Sequence, residues 1–291
     1  MDQALVVCRA LHFTAAIALF GVSVFQAAVA PRRLAQVIEP PLRRLAAIAI
    51  IVIAVTTLVW LLLEAAEATD GWIGATDPET LSSLLFETEF GRVWLWRLGF
   101  AAILLAILAL HRHDHWLLIA LWSALVLASL GFVGHGAMRA GALGVLNRGS
   151  HALHLLAAGL WLGSLAPLLA CLPWLGHPSL GANAAMALRR FSALGSVAVA
   201  TVLMTGTVNT WLVFEAWPED FWSSYQVLLL AKTGLIAAMI GLALINRFIL
   251  TPRLDAAPET WRKLRTNTFA EVMLGFGAVA LVAAMGTLAP A

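Results

Sequence analysis

Four histidines and a methionine carry most of the chemistry this sequence offers. The stretch GHGAMRAGALGVLNRGSHALHLLAAGLWLG, from Gly134 to Gly163, holds His135, His151, His154 and Met138, and His12 stands near the start of the chain. The sequence on either side is almost entirely apolar. His151 and His154 are three residues apart, so on a helix they share one face and can hold one ion. Imidazole suits copper, zinc, iron and nickel, and the Met138 thioether adds a preference for Cu(I). Glu64 and Glu67 repeat the three-residue spacing. Ionisable groups inside a membrane mark ion paths or sites, although two glutamates near a helix end also fit a solvated interface. Cys8, four residues before His12, offers a thiolate on the same helix face but reads better as a small buried hydrophobe.

The elements that position these groups follow from hydropathy. The 291 residues are 61% hydrophobic and only 12% charged, about half the charge of a soluble domain. Eight apolar segments stand out, at 4–30, 43–68, 91–111, 115–136, 146–172, 186–214, 223–250 and 266–288. Several exceed the roughly 18–20 residues that cross a bilayer core. Every backbone amide in lipid needs an internal partner, so these runs are helices. No alternating ten-residue strands of a membrane barrel appear. The expected fold is an all-α polytopic bundle of eight transmembrane helices, forming one domain over 1–291. Asp2 precedes the first apolar run and Arg32 and Arg33 follow it, the reverse of a secretory signal. The first segment is therefore expected to stay as a helix.

Orientation comes from basic residues in the short loops. Arg32, Arg33, Arg43 and Arg44 lie between segments 1 and 2, and Arg112 between 3 and 4. Arg189 and Arg190 lie between 5 and 6, and Arg247, Arg253, Arg262, Lys263 and Arg265 between 7 and 8. That face is cytoplasmic, and both termini are expected in the periplasm. Asp70, Asp77, Glu79, Glu87, Glu89, Glu215, Glu219 and Asp220 rim the other face. Such a rim gathers cations, or it reflects loops poor in Lys and Arg. His12 and His154 each fall about eight residues into a helix, roughly 12 Å down, with His135 and His151 at the same outer level. A single intramembrane histidine serves as an interhelical hydrogen-bond partner; four in one layer read as a metal site.

Other groups have plainer readings. HRHDHW, with His111, His113, Asp114 and His115, fits a polar connector on the cytoplasmic side, or a loose release point for metal. Lys232 and Glu271 are expected to pair across the last two helices, within a polar set that includes Asn209 and Asn246. Cys8 and Cys171 fall at opposite faces, so no disulfide is expected. No internal repeat is apparent, and no nucleotide-binding loop of the G-x-x-x-x-G-K-[ST] type occurs.

In order and spacing, several motifs resemble the CopD family of bacterial copper-resistance and copper-uptake membrane proteins. They are GHGA at 134–137, HALHLLAAGLWLGSL at 151–165, RRFSALG at 189–195, TGTVNTW at 205–211, YQVLLLAKTGL at 225–235, NRFILTPRL at 246–254 and Glu271 in FAEVMLGFG. His12 fits the same pattern in the first helix. The resemblance implies an eight-helix inner-membrane protein that moves copper between periplasm and cytoplasm and is not an enzyme. It also implies a periplasmic copper-binding partner of the CopC type, here as a separate chain. Gln226 after Tyr225, and Gly136 between His135 and Ala137, depart from the pattern. The expected metal ligands are His12, His135, His151, His154 and Met138, with Glu64 and Glu67, and the expected ion is copper. Two other readings share these residues: a membrane haem b protein with paired histidine ligands in electron transfer, and a copper sensor that moves nothing. Haems stacked across a membrane need histidine pairs in both leaflets, whereas these histidines share one.

Overall fold

The computed structural model describes residues 2–69, 71–110, 115–134, 141–213, 222–253 and 258–288. Among these residues every regular element is a helix. The long ones are α1 (Asp2–Val24), α2 (Arg32–Ala68), α4 (Glu89–Ala109), α5 (Trp116–Ser129), α6 (Gly141–Gly163), α8 (Gly181–Val213), α9 (Ser224–Ile245) and α10 (Pro258–Met285). Two short helices, α3 (Pro78–Glu87) and α7 (Leu165–Cys171), sit between them. Seven of the helical stretches are long and apolar enough to cross a membrane. The eighth expected span is shorter: α5 and its last 3₁₀ turn cover only Trp116–Phe132. The chain leaves that helix at Gly134, whose φ of 62° suits glycine, and enters α6 at Gly141, at φ 63°. His135 and Met138 fall between these two glycines and lie outside the described residues, as do His111, His113 and Asp114.

α2 departs from its expected start at residue 43. It begins at Arg32 and runs through Pro40 and Pro41. Leu34, Ile38 and Leu42 recur every four residues and are buried in one cluster with Leu165 and Leu168 of α7, Leu172 just after it, and Ala184 and Leu188 of α8. That apolar stripe holds the first turns of α2 helical despite the two prolines.

α1 is the centre of the bundle. Ala16, Leu19 and Val22 are fully buried, and the helix packs on α2, α5, α6 and α10. Toward its N-terminus it joins a cluster with α2, α4 and α5, including Leu5, Ala15, Ile53, Trp60, Trp94 and Leu127. Toward its C-terminus Val22, Phe25 and Val29 join Leu165, Leu168 and Cys171. The C-terminal ends of α1 and of the α6–α7 segment therefore share one cluster, so α1 and α6 run parallel. Cys8 belongs to the first cluster and Cys171 to the second, and both are free thiols.

Candidate metal site

His12 is completely buried on the inner face of α1. Its Nδ1 lies 2.8 Å from Thr56 Oγ1 on α2. The Thr56 hydroxyl donates to the Val52 carbonyl at 2.6 Å, one turn back. That hydroxyl proton is committed, so Thr56 Oγ1 accepts from Nδ1–H. Nε2 is left as the acceptor nitrogen, and it is filled: Arg97 Nη2 of α4 donates to it at 2.7 Å. The Arg97 guanidinium lies over the ring of Trp94 at 4.1 Å and that of Trp60 at 5.0 Å. Its Nε and Nη1 are buried without hydrogen-bond partners among the described residues. A cation so placed is held by one imidazole lone pair and two aromatic faces.

The surroundings fix this arrangement. Trp94 Nε1 donates to the Thr57 carbonyl at 3.0 Å and its ring stacks on Phe90 at 4.4 Å. Trp60 meets His12 edge-on at 5.7 Å and Trp94 at 5.1 Å. Glu64 is engaged as well: Trp60 Nε1 donates to its Oε1 at 2.9 Å and Arg9 Nη2 reaches the same oxygen at 3.3 Å. Glu67, three residues on, is exposed. The Cys8 thiol donates to the Thr56 carbonyl at 3.4 Å.

His154 on α6 repeats part of this pattern. Its Nδ1 lies 2.9 Å from Thr205 Oγ1 on α8, and the Thr205 hydroxyl donates to the Thr201 carbonyl at 2.6 Å. Gly206 lies against the ring edge. The same argument makes Nδ1–H the donor and leaves Nε2 as a lone pair. No side chain among the described residues donates to that nitrogen; the Val202 backbone is a further hydrogen-bond partner of the ring, and Lys232 of α9 stands within electrostatic range. The side chain is only partly buried, as is that of His151 one turn earlier.

Placement therefore differs from the expected single cluster. His12 belongs to α2 and α4 through Thr56 and Arg97, while His154 belongs to α8 through Thr205. Among the described residues no three His, Cys, Asp or Glu side chains stand together to hold one ion. The expected Lys232–Glu271 pair does not form; the ion pairs among the described residues are Arg9–Glu64 and Arg92–Glu89. Glu271 accepts instead from Asn246 Nδ2 at 2.7 Å, with Asn267 donating on to Asn246 Oδ1 at 3.0 Å and Trp161 as a further partner. The reason is distance along α9: Asn246 lies fourteen residues past Lys232, about 21 Å of helix. His115 is exposed at the start of α5.

The contacts that the sequence did not show are those of Thr56, Thr205, Trp60, Trp94 and Arg97. Arg97 had a visible signal. It opens an R-L-G triplet at 97–99, and Lys232 opens K-T-G at 232–234.

Known proteins resemble the chain over nearly all its length. It is 28% identical to the inner membrane protein YebZ of Escherichia coli K12, across 97% of both chains. It is also 28% identical to copper resistance protein D of Pseudomonas syringae pv. tomato, across 99% of this chain and 97% of the other. A 29% identical match to the copper transport protein CutJ of Bacillus subtilis covers 64% of this chain and 35% of that protein. No solved structure matches. Residues 1–145 match the family model described as copper resistance protein D-like, N-terminal domain, and residues 185–285 match copper resistance protein D. With both halves matched and the apolar helices in place, this copper-related, multi-pass inner-membrane chain belongs to the CopD family.

Proposed function

We propose that the protein carries copper across the inner membrane, from periplasm to cytoplasm, through eight spans with both termini in the periplasm. Copper enters at His151 and His154, and His135 and Met138 complete the ligand set from the segment that precedes α6. The single observation that carries this reading is His154: a ring held at Nδ1 by Thr205, with no side chain among the described residues donating to Nε2. A neutral imidazole oriented through its other nitrogen is the form that binds a metal. The acidic outer loops concentrate cations at the mouth, and Glu64 and Glu67 extend that rim into the end of α2. A separate periplasmic copper-binding protein of the CopC type delivers the ion, and HRHDHW receives it on the other side. Histidine and thioether ligands bind without a thiolate's charge, so the ion can leave again, as conduction requires.

The test is copper accumulated by cells that carry the wild type, the His151→Ala variant, the His154→Ala variant or empty vector. The wild type is expected to raise cellular copper several-fold and both variants to return it to the vector level. Equal copper in all four strains rules out import.

A further inference from the structure

The sequence shows no obvious repeat, but the contacts reveal one. The close approach of α1 and α6 pairs Gly21 with Gly163. A Cβ on either glycine would collide with backbone atoms of the other helix. His12 lies nine residues before Gly21, and His154 nine before Gly163. Aligned on these glycines, HFTAAIALFG at 12–21 and HLLAAGLWLG at 154–163 share the histidine, both alanines and the glycine. When equivalent positions of two copies touch each other, a two-fold axis passes between them.

The relation extends to the remaining helices. Thr56 of α2 and Thr205 of α8 hold their histidines identically, each hydroxyl committed to the carbonyl four residues back. Arg97-x-Gly on α4 corresponds to Lys232-x-Gly on α9. The end of α5 docks at Gly131 against Ala152 and Arg148 of α6, and the end of α10 docks at Gly286 against Arg9 of α1. Each half's last helix thus lies on the other half's first. Four long helices per half is an even number, so the copies keep one orientation, as parallel repeats do around an axis along the membrane normal. Since α1 and α6 run parallel, the two histidines sit at one height, about 13.5 Å above the glycine crossing.

We infer that the chain is two copies of one four-helix unit, and that the first copy retains a second copper station at His12 which Arg97 keeps shut. This rests on the reading of His154 as a copper ligand. The physical basis is that an imidazole Nε2 has one lone pair. In the second copy no side chain among the described residues donates to that lone pair. In the first the guanidinium occupies it, as a tethered cation in the place a metal would take. Among the described residues no carboxylate holds Arg97, and the histidine is the strongest partner it has there. The second copy carries Lys232 at the matching position, a compact point charge without the planar fork that reaches Nε2.

A reciprocal exchange tests this. Full-length protein in detergent is loaded with Cu(I) under reductant, desalted, and its copper-to-protein ratio measured, with monodispersity and helicity checked for every variant. Arg97→Lys is expected to bind one more copper than the wild type, and His12→Ala added to it to return the ratio to the wild-type value. Lys232→Arg is expected to lose the copper held at His154. Arg97→Gln removes the charge and serves as the second route, with the same expected gain. Wild-type ratios in both Arg97 variants overturn the inference. His154→Ala, run in parallel, reports on the proposed function alone: if it fails to lower the ratio, that reading falls, whatever the Arg97 variants show.

Discussion

The two halves of the molecule hold a histidine in the same way and expose it differently. Beside His12, 28% of the most apolar stretch of α4 is buried, and Trp60, Trp94, Phe90 and Arg97 close over the ring. Around His154, α9 is the neighbouring basic helix, and only 6% of its most apolar stretch is buried. The donor module is the same in both, a ring nitrogen fixed by a threonine whose own proton is spent. The packing around it decides whether the other nitrogen is available. One four-helix plan therefore serves as a sealed half and as an accessible one.

Trp94→Ala is the strongest way to break the contrast. Trp94 is fully buried and supports Arg97, Trp60 and Phe90 at once, so its loss costs about 3–5 kcal/mol. Leu229, which falls at the matching place when Arg97 is aligned with Lys232, is only partly buried; Leu229→Ala should cost a fraction of that. Chemical denaturation in detergent compares the two, and equal losses would mean that the halves are equally packed.

Next in size is the pair His12→Ala and His154→Ala. The first leaves Arg97 buried with no acceptor, and destabilises the protein by about 1–3 kcal/mol. The second leaves the unfolding midpoint close to wild type while abolishing copper accumulation. A stability loss from His154→Ala as large as that from His12→Ala would remove the distinction.

Smaller and equal effects are expected from Thr56→Val and Thr205→Val. Each deletes one interhelical hydrogen bond, worth about 0.6 kcal/mol in a membrane interior. Matching losses sharpen the case for equivalent modules, and a several-fold difference argues against it.

The smallest effect concerns α3, which packs on α4 in the first half. Asp77 caps α3 by accepting from the amide and hydroxyl of Thr80 at 2.9 and 2.5 Å. These hydrogen bonds hold its carboxyl below the usual aspartate range. Because the folded-state value is depressed, the cap's contribution is present above the ordinary aspartate pKa of about 4. It is lost as pH falls through the folded value. Protection of the Thr80 amide, measured against its intrinsic exchange rate, should therefore fall on acidification through that range, and the step should vanish in Asp77→Ala. Pairing of the two histidine modules should not change over the same range.

Much of this was legible in the residues one by one. The apolar runs located the helices, because hydropathy and the need to satisfy backbone amides in lipid are local properties. The i, i+3 pair His151–His154 and the equal depth of His12 and His154 followed from helix rise alone, and the glycine crossing gives the same depth from packing. The start of α2 at Arg32 was not legible, since Pro40 and Pro41 argue against a helix until Leu34, Ile38 and Leu42 find α7 and α8. The Lys232–Glu271 pair looked reasonable because sequence gives the helix but not the height of two distant positions relative to each other.

What the sequence by itself determined is the membrane bundle, its helices and the residue types at its polar positions. Only the tertiary structure decided which of them meet: Thr56 with His12, Thr205 with His154, and Arg97 on the nitrogen a metal would need. It also exposed the duplication. Apolar positions in lipid and core are interchangeable among Leu, Ile, Val and Ala, so most of each copy drifts without cost. The positions held by hydrogen-bond geometry or by backbone contact, a histidine, a threonine, a basic residue before a glycine and the crossing glycine, are too few to stand out until packing brings the copies together.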